Sequence, residues 1–177
     1  MKPGRPEAHE YAPFYAGYIA LVPGDDAVAA LEAQRLHMMQ LLSARSEREG
    51  NFRYGPDKWS VKEVVGHLAD AERVFTYRAM RIARGDQTPL AAFEQDDFVK
   101  NGAFGDRRLA DLADEFAAVR GASIALFRSL SDAAWLLRGT ASGKEVSVRA
   151  LAFMTAGHEL HHQRILEERY FAAIPRA

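Results

Sequence analysis

The chain has 177 residues, of which 48% are apolar and 27% charged, a balance that fits a single globular domain with its own core. Its formal charge is −1, from 23 basic and 24 acidic side chains dispersed among one another, which argues against a nucleic-acid partner. The sequence contains no cysteine, which excludes disulfides, thiolate ligands and iron–sulfur clusters, so any metal must be held by nitrogen or oxygen.

The N-terminal segment lacks the apolar stretch and cleavage site of a signal peptide, and no window approaches the length of a membrane span. We therefore expect a cytoplasmic protein with no membrane partner. Residues 1–24 combine aromatic side chains with four prolines, at Pro3, Pro6, Pro13 and Pro23. This pattern predicts an extended arm packed across the core rather than a regular helix.

The first two helices are predicted at residues 26–46 and 60–85. Apolar residues recur at helical spacing in the first, which stops before Gly50. Residues 51–59 contain Gly55 and Pro56 and indicate a loop. The second helix opens with Ser60-Val61-Lys62-Glu63, a capping box in which the hydroxyl and the carboxylate satisfy the first free amides reciprocally.

The second half of the chain predicts a long connection and two more helices. Residues 86–107 show no sustained period, residues 107–130 form the third helix, and residues 139–143 form a turn region. Ser147 can cap a last helix that continues to about Tyr170. We interpret residues 1–177 as one all-α domain, a four-helix bundle over residues 25–170 with a long crossover connection between its second and third helices.

The last helix carries a histidine pair that can bind a metal. His158 and His162 in Gly157-His158-Glu159-Leu160-His161-His162 are four residues apart, so both rings can reach one ion. His161, three residues after His158, is the alternative partner and ranks second. The segment also matches the HExxH pattern of zinc proteases, but no suitable third ligand follows and no strand pattern is present to hold a peptide, so a protease is disfavoured.

His67 is the best candidate for a third ligand, because it lies on or beside the apolar face of the second helix. A lone imidazole there is most often a core side chain satisfied by one hydrogen bond. Three inward histidines from two helices favour a metal site instead, since bundles build such sites from facing helices. His9 and His37 lie off the apolar faces and are expected at the surface.

Carboxylates that could orient the histidines are few. Asp70, one turn after His67, is our candidate to orient that ring or to act as a catalytic base. Glu63 is explained by the capping box, and Glu72 and Glu159 are weaker candidates.

The long connection contains Phe93-Glu94-Gln95-Asp96-Asp97-Phe98. These carboxylates either line the open side of a metal pocket or belong to a polar loop held by two rings, and the role of Asp96 and Asp97 stays open. The further side chains that could border a pocket are Tyr15, Tyr18 and Tyr77.

Residues 59–72 and 156–162 closely resemble the two signature segments of the DinB-like superfamily of four-helix metalloproteins, and the resemblance extends over about residues 25–170. It implies that His67, His158 and His162 are the metal ligands and that the remaining coordination positions are left to water or substrate. It also implies a chemistry class, since family members of known activity are metal-dependent transferases or isomerases that use a low-molecular-weight thiol.

Three neutral imidazoles leave a divalent ion with its full charge and an open position, which is typical of a catalytic site. Together with this open site, the resemblance implies a metal-dependent transferase acting with a low-molecular-weight thiol on a small-molecule substrate. The alternatives are a metal-dependent hydrolase and a non-catalytic, stress-associated metal-binding protein. Zinc or nickel is the metal most readily expected. A homodimer is conceivable through apolar residues outside the main stripe, at Leu36, Leu41 and Phe127.

Overall fold

The computed structural model describes residues 4–174 of the chain, and most of that part is helical. Its helices in chain order are α1 (Ala16–Leu21), α2 (Ala27–Ser43), α3 (Glu47–Gly50), α4 (Val61–Ala83), α5 (Gln95–Asn101), α6 (Leu109–Arg128), α7 (Asp132–Trp135) and α8 (Val148–Ile165). A hairpin of strands β1 (Arg138–Ala141) and β2 (Lys144–Ser147) precedes α8, and a π-helical turn (Leu166–Phe171) follows it.

The four long helices α2, α4, α6 and α8 form the predicted bundle. Both α2 and α4 pack against α6 and α8. Consecutive helices are therefore not always neighbours: α2 and α4 lie across the bundle from each other, and so do α6 and α8. The long connection, residues 84–108, joins α4 and α6, which are in direct contact.

Helix starts follow the capping signals in the sequence. Ser60 and Glu63 form the predicted capping box, with 3.2 Å from the Glu63 amide to the Ser60 hydroxyl and 2.6 Å from the Ser60 amide to the Glu63 carboxylate. The hydroxyl of Ser147 accepts the amide hydrogen of Ala150 at 3.0 Å and starts α8. Asp26 caps α2 in the same way. Each cap satisfies amides that the helix itself leaves unpaired.

The prolines predicted an extended N-terminal arm, and this prediction is wrong. The short helix α1 forms between Pro13 and Pro23, and 3₁₀ turns cover Ala8–Glu10 and Pro13–Tyr15. Proline is tolerated in a first helical turn because its missing amide hydrogen has no partner there, so these prolines bound the helical segments instead of breaking them. The part of the predicted arm at residues 1–3 lies outside the described residues.

The predicted turn region at 139–143 is the tip of a two-stranded antiparallel hairpin. Its loop is Ser142-Gly143, with φ of 52° and 71°, the left-handed pair that a tight two-residue hairpin turn requires. The sequence did not predict the strands because neither Arg138-Gly139-Thr140-Ala141 nor Lys144-Glu145-Val146-Ser147 alternates large apolar with polar residues. Leu90, from the long connection, forms a parallel bridge with Ala141, the last residue of β1.

The long connection is also more ordered than its irregular sequence predicted. It contains α5 and a 3₁₀ turn, Phe104–Asp106. Phe104 is buried and lies so close to Gly66 of α4 that a Cβ atom on Gly66 would come within 2.4 Å of the ring. A glycine at position 66 therefore allows the connection to pack on α4.

The proposed dimer residues differ in their exposure. Leu36 is exposed and Leu41 is partly buried, but Phe127 is only 1% exposed and stacks on Trp135 with ring centroids 5.5 Å apart. Phe127 is a core residue, so its place in a possible interface was predicted wrongly. Between residues 4 and 174, the structure contains no helix that is long and apolar enough to cross a membrane.

Candidate metal centre

Three histidines from two helices converge in the bundle. His67 comes from α4, and His158 and His162 come from successive turns of α8. One ring nitrogen of each lies within 4.8 Å of the other two, and the Nε2 atoms of His67 and His158 are 3.1 Å apart. Among the described residues, this is the group of histidine and carboxylate side chains that could hold a metal ion.

Glycines directly precede His67 and His158 and allow other segments to approach. Gly66 precedes His67 and makes room for Phe104, as described above. Gly157 precedes His158, and a Cβ atom there would lie 2.0 Å from the backbone oxygen of Tyr18 in α1. The short helix α1 is thus seated against α8 beside the histidines.

Aromatic rings surround the histidines. The Trp59 ring lies 4.8 Å from the His67 ring, and Phe75 packs edge-on against His158 at 5.7 Å between centroids. Tyr18 contacts His158 at 5.6 Å and His161 at 5.1 Å. His67 and His158 are buried, whereas His162 is only partly so, which leaves the His162 side of the group nearest to solvent.

Burial keeps the three imidazoles neutral. It lowers the pKa of His67 to about 4. It also lowers the pKa of His162 to about 3, with the neighbouring rings of His67 and His161 as further causes. Burial, and then the nearby histidines, hold the pKa of His158 well below its usual range. At neutral pH all three rings therefore offer unprotonated nitrogens.

This donor set fits a divalent metal. Neutral imidazole nitrogen is a common ligand of zinc, nickel and other late divalent metals, and three such ligands leave coordination positions open. The Nε2 atoms of His67 and His158 face each other at 3.1 Å, and in the tautomers that leave both unprotonated a metal ion between them would accept both lone pairs.

Beside the histidines, a buried cluster of charges joins all four helices of the bundle. Arg120 of α6 donates to the Glu72 carboxylate of α4 at 2.8 Å and to the Glu159 carboxylate of α8 at 2.6 Å. It also donates to Gln34 of α2 at 3.2 Å, while the Gln34 amide donates to the backbone oxygen of Ala156 at 3.0 Å. The cluster thereby links α8 to the other three long helices.

This cluster also explains the HExxH match. In zinc proteases the glutamate of that pattern is the general base, but here the Glu159 carboxylate is 1% exposed and pairs with Arg120 in the core. Glu72 is occupied by the same arginine. Neither of these two weaker candidates belongs to the ligand group.

The other predicted residues have partners elsewhere. Asp70 accepts a hydrogen bond from Arg73 at 3.1 Å, on the side of α4 that faces Glu115 of α6. His37 pairs with Glu167 at 2.9 Å, and the side chain of His9 contacts Arg138 at 2.6 Å. Both are exposed, as predicted.

The aromatic and acidic candidates are only partly near the histidines. Tyr18 borders them directly, and Tyr15 packs one layer away on Phe75. Tyr77 is exposed, as are Asp96 and Asp97 on α5, and the two carboxylates are not part of the ligand group.

The sequence analysis did not identify Arg120, although its position on an apolar helix face indicated a buried charge. It stands four residues after Phe116 and four before Ile124, on the apolar stripe of α6. A charged residue on such a stripe must find a buried counter-charge, and Glu72 occupies the equivalent position between Leu68 and Phe75 of α4.

Comparisons with known proteins agree with this architecture. Residues 30–166 match the family model described as the DinB superfamily. The fold is similar to YfiT from Bacillus subtilis, described as a probable metal-dependent hydrolase with an unusual four-helix bundle topology, with a TM-score of 0.73 at 16% identity over 93% of this chain and 90% of that one.

The fold is also similar to a mycothiol-dependent maleylpyruvate isomerase, with a TM-score of 0.68 at 16% identity over 84% of this chain and 63% of that one. No functionally curated protein matches the sequence. At such low identity the two structural likenesses establish the shared fold alone.

Proposed function

Because the chain belongs to the DinB superfamily, whose model its residues 30–166 match, we propose that it is a metal-dependent transferase acting with a low-molecular-weight thiol. The observation that carries the proposal is the convergence of His67, His158 and His162 on one point at a partly open face of the bundle. A divalent ion held there would act as a Lewis acid and lower the pKa of a thiol bound to it.

The residues of the chain prepare the site for that role. The three rings are neutral at working pH, so they add no negative charge that would weaken the ion as a Lewis acid. Trp59 and Phe75 cover two of the rings and exclude water from that side. His162 and His161, each partly exposed, mark the side from which a small molecule reaches the site.

The acid–base groups favour a thiol over water as the nucleophile. A thiol has an ordinary pKa of about 8.5, whereas bulk water has one near 15.7, so a thiol needs far less assistance to lose its proton. Hydrolases of this kind usually add a carboxylate base. In the part of the chain that the structure describes, the nearest glutamate in sequence, Glu159, is held by Arg120.

The likeness to the mycothiol-dependent isomerase supports the same class of reaction, although this chain spans only 63% of that protein. A cytoplasmic location is consistent with the proposal, because small thiols are kept reduced there. Asp70 stays our candidate to orient the His67 ring or to act as a catalytic base. Either role requires its side chain to move and to lose its hydrogen bond with Arg73.

The proposal is tested by replacing the native ion with cobalt(II) and adding cysteine, glutathione or mycothiol. A thiolate bound to cobalt gives strong near-ultraviolet absorption, so a saturable new band is expected with at least one of them. Serine in place of cysteine is the matched control and should give no band. An unchanged spectrum with every thiol would contradict the proposal.

The second candidate is a metal-dependent hydrolase, favoured by the likeness to YfiT. It predicts turnover of an ester, amide or phosphoester above the level of chelator-treated protein. The same assay with the His162→Ala variant separates activity at this site from contaminating hydrolases. If no substrate of these three classes turns over, the hydrolase is excluded.

A further inference from the structure

A second pocket lies on α4, well away from the histidines. It is a groove of about 490 Å³ between the C-terminal half of α4 and residues 88–93 of the long connection. This volume lies within the range of small-molecule sites. Its floor includes Arg78, which is eleven residues beyond His67 on α4, roughly 16 Å along the helix axis.

Arg78 is a buried cation with neutral partners. It is 3% exposed, and its guanidinium donates to the backbone oxygen of Ala91 at 2.7 Å and to the Ser142 hydroxyl at 2.9 Å. Tyr15 and Arg78 also line one small cavity together. Among residues 4–174, no carboxylate forms an ion pair with it, in contrast to the buried Arg120, which has two.

A buried guanidinium without a counter-charge is unusual. Transfer of a charge out of water is unfavourable unless an opposite charge compensates it, and neutral acceptors compensate for the lost hydration only in part. An anion bound against Arg78 would complete the compensation with charge-assisted hydrogen bonds.

The groove around Arg78 suits an anion with an apolar body. Arg73 and Arg81 stand on its walls, where they are already paired with acidic residues, and none of the lining residues is acidic. The apolar part of the lining is formed by Val74, Pro89, Leu90 and Phe93. The Phe93 ring also lies against the Arg78 guanidinium, whose Cζ atom is 5.7 Å from the centroid of the ring.

We propose that this groove binds a small organic oxyanion, with its carboxylate or phosphate on Arg78 and its apolar body between Val74, Leu90 and Phe93. The site is distinct from the metal centre, and the proposal does not depend on the function assigned above. The alternative is that Arg78 only ties α4 to the long connection and to the hairpin through its neutral partners.

The test uses benzoate, phenyl phosphate and inorganic phosphate as probes with metal-free protein, so that binding to the metal cannot contribute. Titration calorimetry is expected to show saturable binding of benzoate or phenyl phosphate, and weaker binding of inorganic phosphate because it lacks the apolar body. The Arg78→Gln variant should lose at least tenfold in affinity. Arg84→Gln, an exposed arginine at the end of the same helix, is the matched control and should bind like wild type.

Because Arg78→Gln could also unfold the groove, amide chemical-shift mapping of the wild type provides an independent readout. Shifts induced by benzoate should concentrate in residues 73–81 and 88–93. Shifts confined to the surroundings of the histidines would overturn the proposal, and so would an Arg78→Gln variant that folds and binds with wild-type affinity. Absence of saturable binding by all three probes would leave Arg78 with the purely structural role.

Discussion

At the scale of single residues, the three histidines adjoin the buried cluster around Arg120, because Glu159 of that cluster directly follows His158 on α8. His67, His158 and His162 were identified by helical spacing and family resemblance, and the structure brings them together. The buried cluster around Arg120 depends on four helices meeting at one point. No local pattern specifies such a meeting, because residues 34, 72, 120 and 159 are far apart in sequence and are joined only by tertiary packing.

The cluster makes a direct prediction about stability. Arg120→Met leaves Glu72 and Glu159 buried without their cation, and such losses cost about 3–5 kcal/mol. Urea unfolding should show a decrease of this size in the free energy of unfolding. The control is Arg128→Met on the same helix, whose partner Glu32 is near the surface, and a loss below about 1 kcal/mol is expected there. Equal losses for both variants would contradict the role of the cluster.

At the scale of elements, the N-terminal arm shows why irregular sequences are hard to predict. Its prolines excluded one long helix, and they did not exclude three short helical segments. The arm is held by tertiary contacts, which no local sequence pattern predicts. Glu10 accepts hydrogen bonds from Ser147 at 2.6 Å and from the Arg149 side chain at 2.7 Å, and Gly157 admits the backbone of α1.

The close packing of α1 against α8 can be tested with Gly157→Ala. Its methyl group would overlap the Tyr18 backbone oxygen, so α1 must shift away from α8. Overpacking of this kind costs about 1–3 kcal/mol, and the displacement next to His158 should also weaken metal binding. Gly17→Ala, where a Cβ meets open space, is the control. Crystal structures or calorimetry showing a wild-type arm and wild-type stability would refute the close packing.

The arm also predicts a pH dependence of stability. Hydrogen bonds from Arg149 and Ser147 outweigh burial and lower the pKa of Glu10 from 4.5 to about 2. A carboxylate with a lowered folded-state pKa contributes stability above pH 4.5, and this contribution is lost as the pH falls toward 2. Glu10→Gln should therefore flatten the decrease in unfolding free energy between pH 4.5 and 2. Parallel curves for variant and wild type in that window would show that Glu10 is not the group involved.

At the scale of the whole molecule, the bundle was predicted because four amphipathic stripes have few ways to be buried together. The helix starts at Ser60 and Ser147 were predicted to the residue, since capping is local chemistry. The arrangement around the bundle axis was not predictable from periodicity. The stripes specify which face of α2 or α4 is inward and do not specify which helix it meets.

The histidine group joins α4 to α8, so a metal ion bound there should stabilise the whole bundle. A ligand that binds only the folded state adds about 4 kcal/mol when its free concentration is about 1000 times its Kd. Thermal unfolding with zinc should therefore occur at a higher temperature than with a chelator, and His67→Ala should remove the difference. A wild-type melting temperature that is the same with zinc and with chelator would contradict this coupling.

Metal content by elemental analysis of untagged protein tests whether His67, His158 and His162 hold one divalent ion together. We expect about one equivalent in wild type and its loss in His67→Ala, His158→Ala and His162→Ala. His37→Ala, which removes an exposed histidine paired with Glu167, should retain the full equivalent. Full metal content in the His67→Ala variant would show that α4 contributes no ligand, and a site shared by the two helices would then be wrong.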